Sequence, residues 1–180
     1  MLADMEAGLP PSFERLTTIS DQYATLSVAD AFTWDDCLAD VPPGEWYMVA
    51  FRSIRRHDAD EARLTAHDDW AHTEATGAPG FVHYFKGPAN AQGECMSFCL
   101  WTSRKDARAA AGRPAHVQAA ALTFEAYAHY VLEFHRVRRL AEGGFTFEAY
   151  DSIAVTSHAE KLPEVPPAAA DNFASPVAPF

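Results

Sequence analysis

The sequence is short of the features that mark secreted, membrane-borne and nucleic-acid-binding chains. Three cysteines among 180 residues are too few for a complete disulfide framework. Cys95 and Cys99 lie four apart in a predicted strand, roughly 13 Å from one another, and a disulfide needs Cα atoms within about 7 Å. Reduced thiols in a cytoplasmic protein are expected. No apolar run approaches the roughly 18 to 20 residues of a membrane span. Met1 to Pro10 carries Asp4 and Glu6 and lacks a basic start with an apolar stretch, so no signal peptide is expected. Basic residues are few, 14 against 25 acidic ones, for a formal charge of −11. That balance argues against a nucleic-acid partner, whose affinity comes mainly from Lys and Arg on phosphates. The clusters Arg52/Arg55/Arg56 and Arg136/Arg138/Arg139 each end a predicted strand and read as solvated strand ends.

Catalytic signatures are missing too. Nothing matches a P-loop, a dinucleotide fingerprint, a nucleophile elbow, an HExxH pair or a paired-cysteine site. Within His57, Asp58, Asp60, His67, Asp68 and His72, only Asp68 and His72 have the i,i+4 spacing that puts two ligands on one helix face. Surface acidity is the better reading, and neither metal nor cofactor is expected.

What is present is a patterned globular domain, since 48% hydrophobic residues exclude global disorder. Residues 1–44 read as an N-terminal extension, with a short helix expected over Ala29 to Leu38 until Pro42, Pro43 and Gly44 end it. Residues 45–140 carry the periodic signal. Trp46 to Phe51 reads as a buried strand. Asp58 and Glu61 form a capping box for a helix reaching about Thr76, stopped by Gly77, Pro79 and Gly80. Phe81 to Phe85 and Cys95 to Trp101 read as a hairpin across a glycine-flanked loop. A helix from about Arg104 to Tyr127 is interrupted at Gly112 to Pro114, and Val131 to Val137 is the fourth strand. Residues 141–180 read as a C-terminal extension, with a short edge strand at Phe145 to Tyr150 and a proline- and alanine-rich tail.

The order βαββαβ is that of a ferredoxin-like unit, an α+β class with two helices on one face of an antiparallel sheet. Along the first strand Trp46, Met48 and Ala50 alternate with Tyr47, Val49 and Phe51, so both faces are apolar. One helical layer covers only one of them. A homodimer through the other face is the simplest expectation.

Three segments then resemble the landmarks of the antibiotic-biosynthesis-monooxygenase (dimeric α/β-barrel) superfamily: Pro79-Gly80-Phe81-Val82-His83-Tyr84, Phe98-Cys99-Leu100-Trp101-Thr102-Ser103, and Pro114-Ala115-His116. The resemblance covers roughly residues 45–138. It implies a dimeric barrel with a pocket between sheet and helices, in a family that includes cofactor-independent oxygenases of aromatic polyketides, haem-degrading enzymes and proteins without known activity. His116 matches the helical histidine that ligates haem in the haem-degrading members. Their distorting tryptophan is replaced here by Ala107-Arg108-Ala109-Ala110-Ala111, which leaves haem binding a minor alternative. Trp101 would stack on a flat aromatic ligand or serve as a core aromatic under the second helix. His67 and His83 converge on one pocket if the side carrying Phe81, His83 and Phe85 faces the helices, and either, or His116, would then take a phenolic proton. Each also reads as a hydrogen-bonded structural histidine. Arg52 is a candidate for a substrate carboxylate or for an ion pair with Glu133. Two functions stay open. One is a cofactor-independent monooxygenase acting on a phenolic or quinol-like molecule. The other is a non-catalytic protein of the same fold, binding a small aromatic ligand or purely structural.

Overall fold

In the computed structural model, residues 11–156 are described; the proline-rich tail lies outside them. Gly44–Arg55 forms β1, and the two apolar faces read from its sequence follow from its place at the middle of the sheet. It pairs antiparallel with β3 (Glu94–Trp101) on one side and β4 (Tyr127–Arg139) on the other. With β2 (Phe81–Phe85) and β5 (Phe145–Thr156), the antiparallel sheet has the order β2-β3-β1-β4-β5. The fold is α+β, and its first four strands have the ferredoxin-like arrangement. β5 is a full edge strand, 12 residues long, where a short one was expected.

One face carries α1 (Glu61–Thr76), α2 (Arg104–Ala111), α3 (Pro114–Ala121) and the single turn α4 (Thr123–Ala126). Asp60, not Asp58, caps α1, its carboxylate accepting the Arg63 N–H at 2.9 Å. Asp58 instead pairs with Arg56 at 3.1 Å. The expected break falls where Gly112 ends α2 and Pro114 opens α3, a position at which its missing N–H costs nothing. Glu74 of α1 accepts the Ala115 N–H at 3.1 Å and the His116 N–H at 3.4 Å. A carboxylate from one helix thus satisfies the orphan donors of the next.

The opposite face is covered by the chain's own N-terminal segment. Residues 11–43 lie across Trp46, Met48, Ala50, Met96, Phe98 and Leu100 and form one core with them. Trp34 meets Phe98 at 5.5 Å and Phe147 at 4.9 Å between ring centroids, and Phe32 meets Phe85 at 4.9 Å. Phe13, Tyr23, Phe32 and Trp34 are each no more than 4% exposed. Burying such a side chain contributes about 1.5 to 3 kcal/mol, enough to hold a segment with little regular structure. The helix expected over Ala29 to Leu38 is reduced to a 3₁₀ turn at Trp34–Cys37 and a bridge between Thr18 and Phe32. Phe32 and Trp34 are both buried, and residues two apart on an α-helix point to nearly opposite sides. The face that suggested a second subunit is therefore already occupied.

The strap is latched at Tyr23. Its hydroxyl donates to the Pro88 carbonyl at 2.7 Å and accepts the Met96 N–H at 3.3 Å. Gly87 makes this possible, since a Cβ there would stand 2.0 Å from the Met96 carbonyl oxygen and 2.4 Å from the Tyr23 hydroxyl.

Candidate functional site

Helical spacing sets one wall of a cavity and strand alternation the other. Leu64, His67, Asp68 and Ala71 fall on one face of α1, opposite Phe51 and Ser53 of β1, Tyr84 of β2 and Tyr130 of β4. Ala119 and Leu122 close it from the α3 side, leaving a volume of about 80 Å³.

The polar groups around this space are unevenly satisfied. Tyr84 donates its hydroxyl hydrogen to Asp68 at 2.7 Å, and Lys86 reaches the other Asp68 oxygen at 2.6 Å and Asp69 at 3.0 Å. Burial alone would lower the Lys86 ammonium, but its bonds to Asp68 and Asp69 prevail and raise it. Burial, with the Asp68 charge adding to it, pushes the Tyr84 phenol well above its ordinary range. Burial does the same to Tyr130, reinforced by Tyr127. The Tyr130 hydroxyl, on a residue 3% exposed, and His67 Nδ1 are both buried and have no hydrogen-bond partner among the described residues. Buried polar atoms are seldom left so.

The sequence-derived site residues are divided by the sheet. His67 is on the cavity wall. His83 is not: its ring lies 5.7 Å from Phe13 and 6.3 Å from Phe98, under the strap. The cause is a bulge in β2. Phe81 pairs with Trp101 and His83 with Leu100, so the register slips between them. The extra residue breaks the period-two rule. Phe81 therefore faces the helices while His83 and Phe85 face the strap, and His67 and His83 do not converge. Burial, with the charge of His72 adding to it, depresses the His83 imidazole to about 4. His116 is 1% exposed within the α1–α3 packing and does not line the cavity. Trp101 is fully buried and packs edge-on against Phe81 at 5.4 Å, a core residue. Arg52 lies on the strap side, its Nε 2.5 Å from Glu133, its guanidinium also donating to the Ala24 carbonyl. Burial would raise the Glu133 carboxyl, but hydrogen bonds from His135 and Arg52 overcome it and hold it at about 2.

Asp68, Tyr84 and Tyr130 went unrecognised as a set. Asp68 was visible only as a partner for His72, which instead faces the rings of Phe81 and Tyr84 at 6.1 and 5.0 Å. The signal for Tyr84 was its place on β2, readable only with the bulge known. Among the described residues no group of three or more His, Cys, Asp or Glu is placed to hold a metal ion.

The model of the PB2B2.08-like family matches residues 2–149. The chain belongs to that family. The match takes in the strap as well as the sheet and helices, so the covered outer face lies within the family's span. No curated protein is significantly similar. Similar solved structures include SnoaB, a cofactor-independent oxygenase from Streptomyces nogalater, at 14% identity and a TM-score of 0.38, covering 65% of this chain and 98% of that one. Rv0793 from Mycobacterium tuberculosis has 19% identity and a TM-score of 0.42, with 65% and 100% covered. NE2512 from Nitrosomonas europaea, of unknown function, has 13% identity and a TM-score of 0.39, with 67% and 97% covered. At such distances these neighbours speak to neither substrate nor reaction. No helix among the described residues is long and apolar enough to cross a membrane.

Proposed function

We propose that this protein binds a compact hydrogen-bonding molecule, phenolic in kind, between α1, α3 and the sheet. One observation carries the reading: Tyr130 and His67, whose hydroxyl and Nδ1 are buried and without partners among the described residues, both line the cavity. A buried donor or acceptor left unpaired costs about 1 to 3 kcal/mol, and a ligand hydroxyl would supply both with a partner. The cavity volume of about 80 Å³ is about half of the roughly 150 Å³ that holds benzene. The cavity therefore takes the hydroxyl-bearing edge of a single phenolic ring, with the rest of the ring outside it, and a tricyclic quinol is disfavoured as the whole occupant.

Cofactor-independent monooxygenation is the second reading, favoured by the position of His67. There it would take a phenolic proton and leave a phenolate to react with dioxygen. His83, His116 and Trp101 have no part in either reading, because none lines the cavity. A homodimer would use some surface other than the outer sheet face. The proposal includes a cytoplasmic setting, supported by Cys37, Cys95 and Cys99 all being free thiols.

The test is titration of the protein with phenol and hydroquinone, followed by calorimetry, in wild type and Tyr130→Phe. A loss of about tenfold in affinity is expected in the variant; equal affinity in both proteins would remove the cavity from the reading. Oxygen uptake with hydroquinone, abolished in His67→Ala, would establish the second reading over simple binding.

A further inference from the structure

The inner cavity does not stand alone. A second cavity of about 230 Å³ lies at the start of α1, walled by Asp58, Asp60, Arg63 and Glu125 together with Leu64 and Leu122. The same two leucines line the inner cavity. Leu122 sits at the junction of α3 and α4 and is 5% exposed, and Leu64 is in the first turn of α1. Both chambers thus share these two apolar side chains as lining.

The two chambers differ in chemistry. The inner one is lined by charges already paired, Lys86 with Asp68 and Asp69 and Arg55 with Glu61, beside the Tyr130 hydroxyl and the His67 imidazole. The outer one offers charge: three carboxylates against one guanidinium. That guanidinium is committed to Glu125, with Arg63 Nη1 2.8 Å from its carboxylate and both side chains more than half exposed. A pair so exposed is weak and exchanges readily with solvent. It spans from α1 to α4 beside the outer chamber, so it can part without disturbing the core. Asp58 is paired with Arg56, which does not line the chamber. Even with the Arg63–Glu125 pair open, one guanidinium faces three carboxylates, so the chamber stays net negative and disfavours an anion.

Size supports the connection. The inner chamber alone is smaller than a cavity that holds one benzene ring. Joined, the two reach the lower end of the roughly 300 to 1,000 Å³ of ordinary ligand sites.

We infer that the two chambers form one site, in which Leu64 and Leu122 clasp the middle of the ligand and the acidic outer chamber selects a neutral or cationic tail over an anionic one. This rests on the inner cavity being the site of a phenolic group. The ligand class is then a phenol bearing a short neutral or cationic substituent. Leu64, Leu122 and Asp60 are its specificity-determining residues.

Calorimetry on the full chain with phenol, tyrosol, tyramine and 4-hydroxyphenylacetate tests this. Tyrosol and tyramine are expected to bind about tenfold more tightly than 4-hydroxyphenylacetate. In Asp60→Asn, which keeps a residue able to cap α1, the preference for tyramine over 4-hydroxyphenylacetate should shrink by about threefold or more. Leu64→Trp, checked for folding by its thermal transition, should weaken tyrosol about tenfold more than it weakens phenol. Equal affinities for all four probes, still sensitive to Tyr130→Phe, would overturn the two-chamber inference and leave the inner site standing. Absence of binding by every probe would overturn both.

Discussion

The Tyr84 hydroxyl stands 2.7 Å from the Asp68 carboxylate, so the middle of β2 is tied to the middle of α1 along one wall of the inner cavity. Removing the hydroxyl in Tyr84→Phe leaves Asp68 with Lys86 as its only close polar partner among the described residues. A hydrogen bond to a charged group is worth about 1.5 to 3 kcal/mol, and a loss in that range is expected in urea unfolding at pH 7.

The same burial gives a signature at high pH. Tyr84, Tyr127 and Tyr130 all have phenols raised above their ordinary value, first by desolvation. A group whose pKa is raised by folding contributes its full stability below the unfolded value of about 10 and loses it as pH rises beyond. Stability should therefore fall steeply above about pH 10, and less steeply in Tyr84→Phe and Tyr130→Phe. An alkaline limb unchanged in both variants would show that neither phenol is buried as described.

Tyr130→Phe should behave unlike an ordinary core mutation. Its hydroxyl has no partner among the described residues, so the ligand-free variant loses no hydrogen bond. Thermal unfolding should show it within about 0.5 kcal/mol of wild type, or more stable. Destabilisation beyond about 2 kcal/mol would mean that the hydroxyl is satisfied inside the fold.

The latch of the strap can be probed at both ends. Tyr23→Phe removes the hydroxyl that meets Pro88 and Met96 and should cost about 1 to 2 kcal/mol in chemical denaturation. Gly87→Ala forces a methyl against the Met96 carbonyl, and a steric insertion of that kind costs about 1 to 3 kcal/mol. If the latch holds the strap as described, the two losses will not add, because both open the same contact.

On the acid side two groups act in separate windows. His83 is depressed from 6.5 to about 4, so its contribution is present above about pH 6.5 and lost as pH falls toward 4. Glu133 is lowered from 4.5 to about 2, so its contribution is present above about pH 4.5 and lost below. Equilibrium unfolding at stepped pH should show the upper part of the decline missing in His83→Leu and the lower part missing in Glu133→Gln.

The strands and helices of residues 45–140 were legible because their signals are local. The apolar run at Trp46 to Phe51 and the break at Gly112 to Pro114 both declare themselves within a few residues. The choice of cap was not so clear, since Asp58 stands three residues before Glu61 and Asp60 adjoins the helix; geometry, not pattern, selected Asp60. The strap was illegible for a different reason. Phe13, Leu16, Tyr23, Val28, Phe32 and Trp34 follow neither a helical nor a strand period, because the segment takes its shape from the sheet it covers. The candidate site suffered from one residue. The bulge between Phe81 and His83 turns the side chains of β2, and sequence alternation alone placed His83 where Tyr84 stands.

The strap also changes how the outer face competes for partners. It joins β1 through Pro42, Pro43 and Gly44, a connection short enough to hold it near the face at an effective concentration on the order of millimolar. A second copy of the chain at micromolar concentration would need to bind about a thousandfold more tightly, about 4 kcal/mol, merely to displace half of it. Covering the sheet is thus a unimolecular event. Dilution cannot uncover it, and the unfolding midpoint should not move with protein concentration as that of an obligate dimer does.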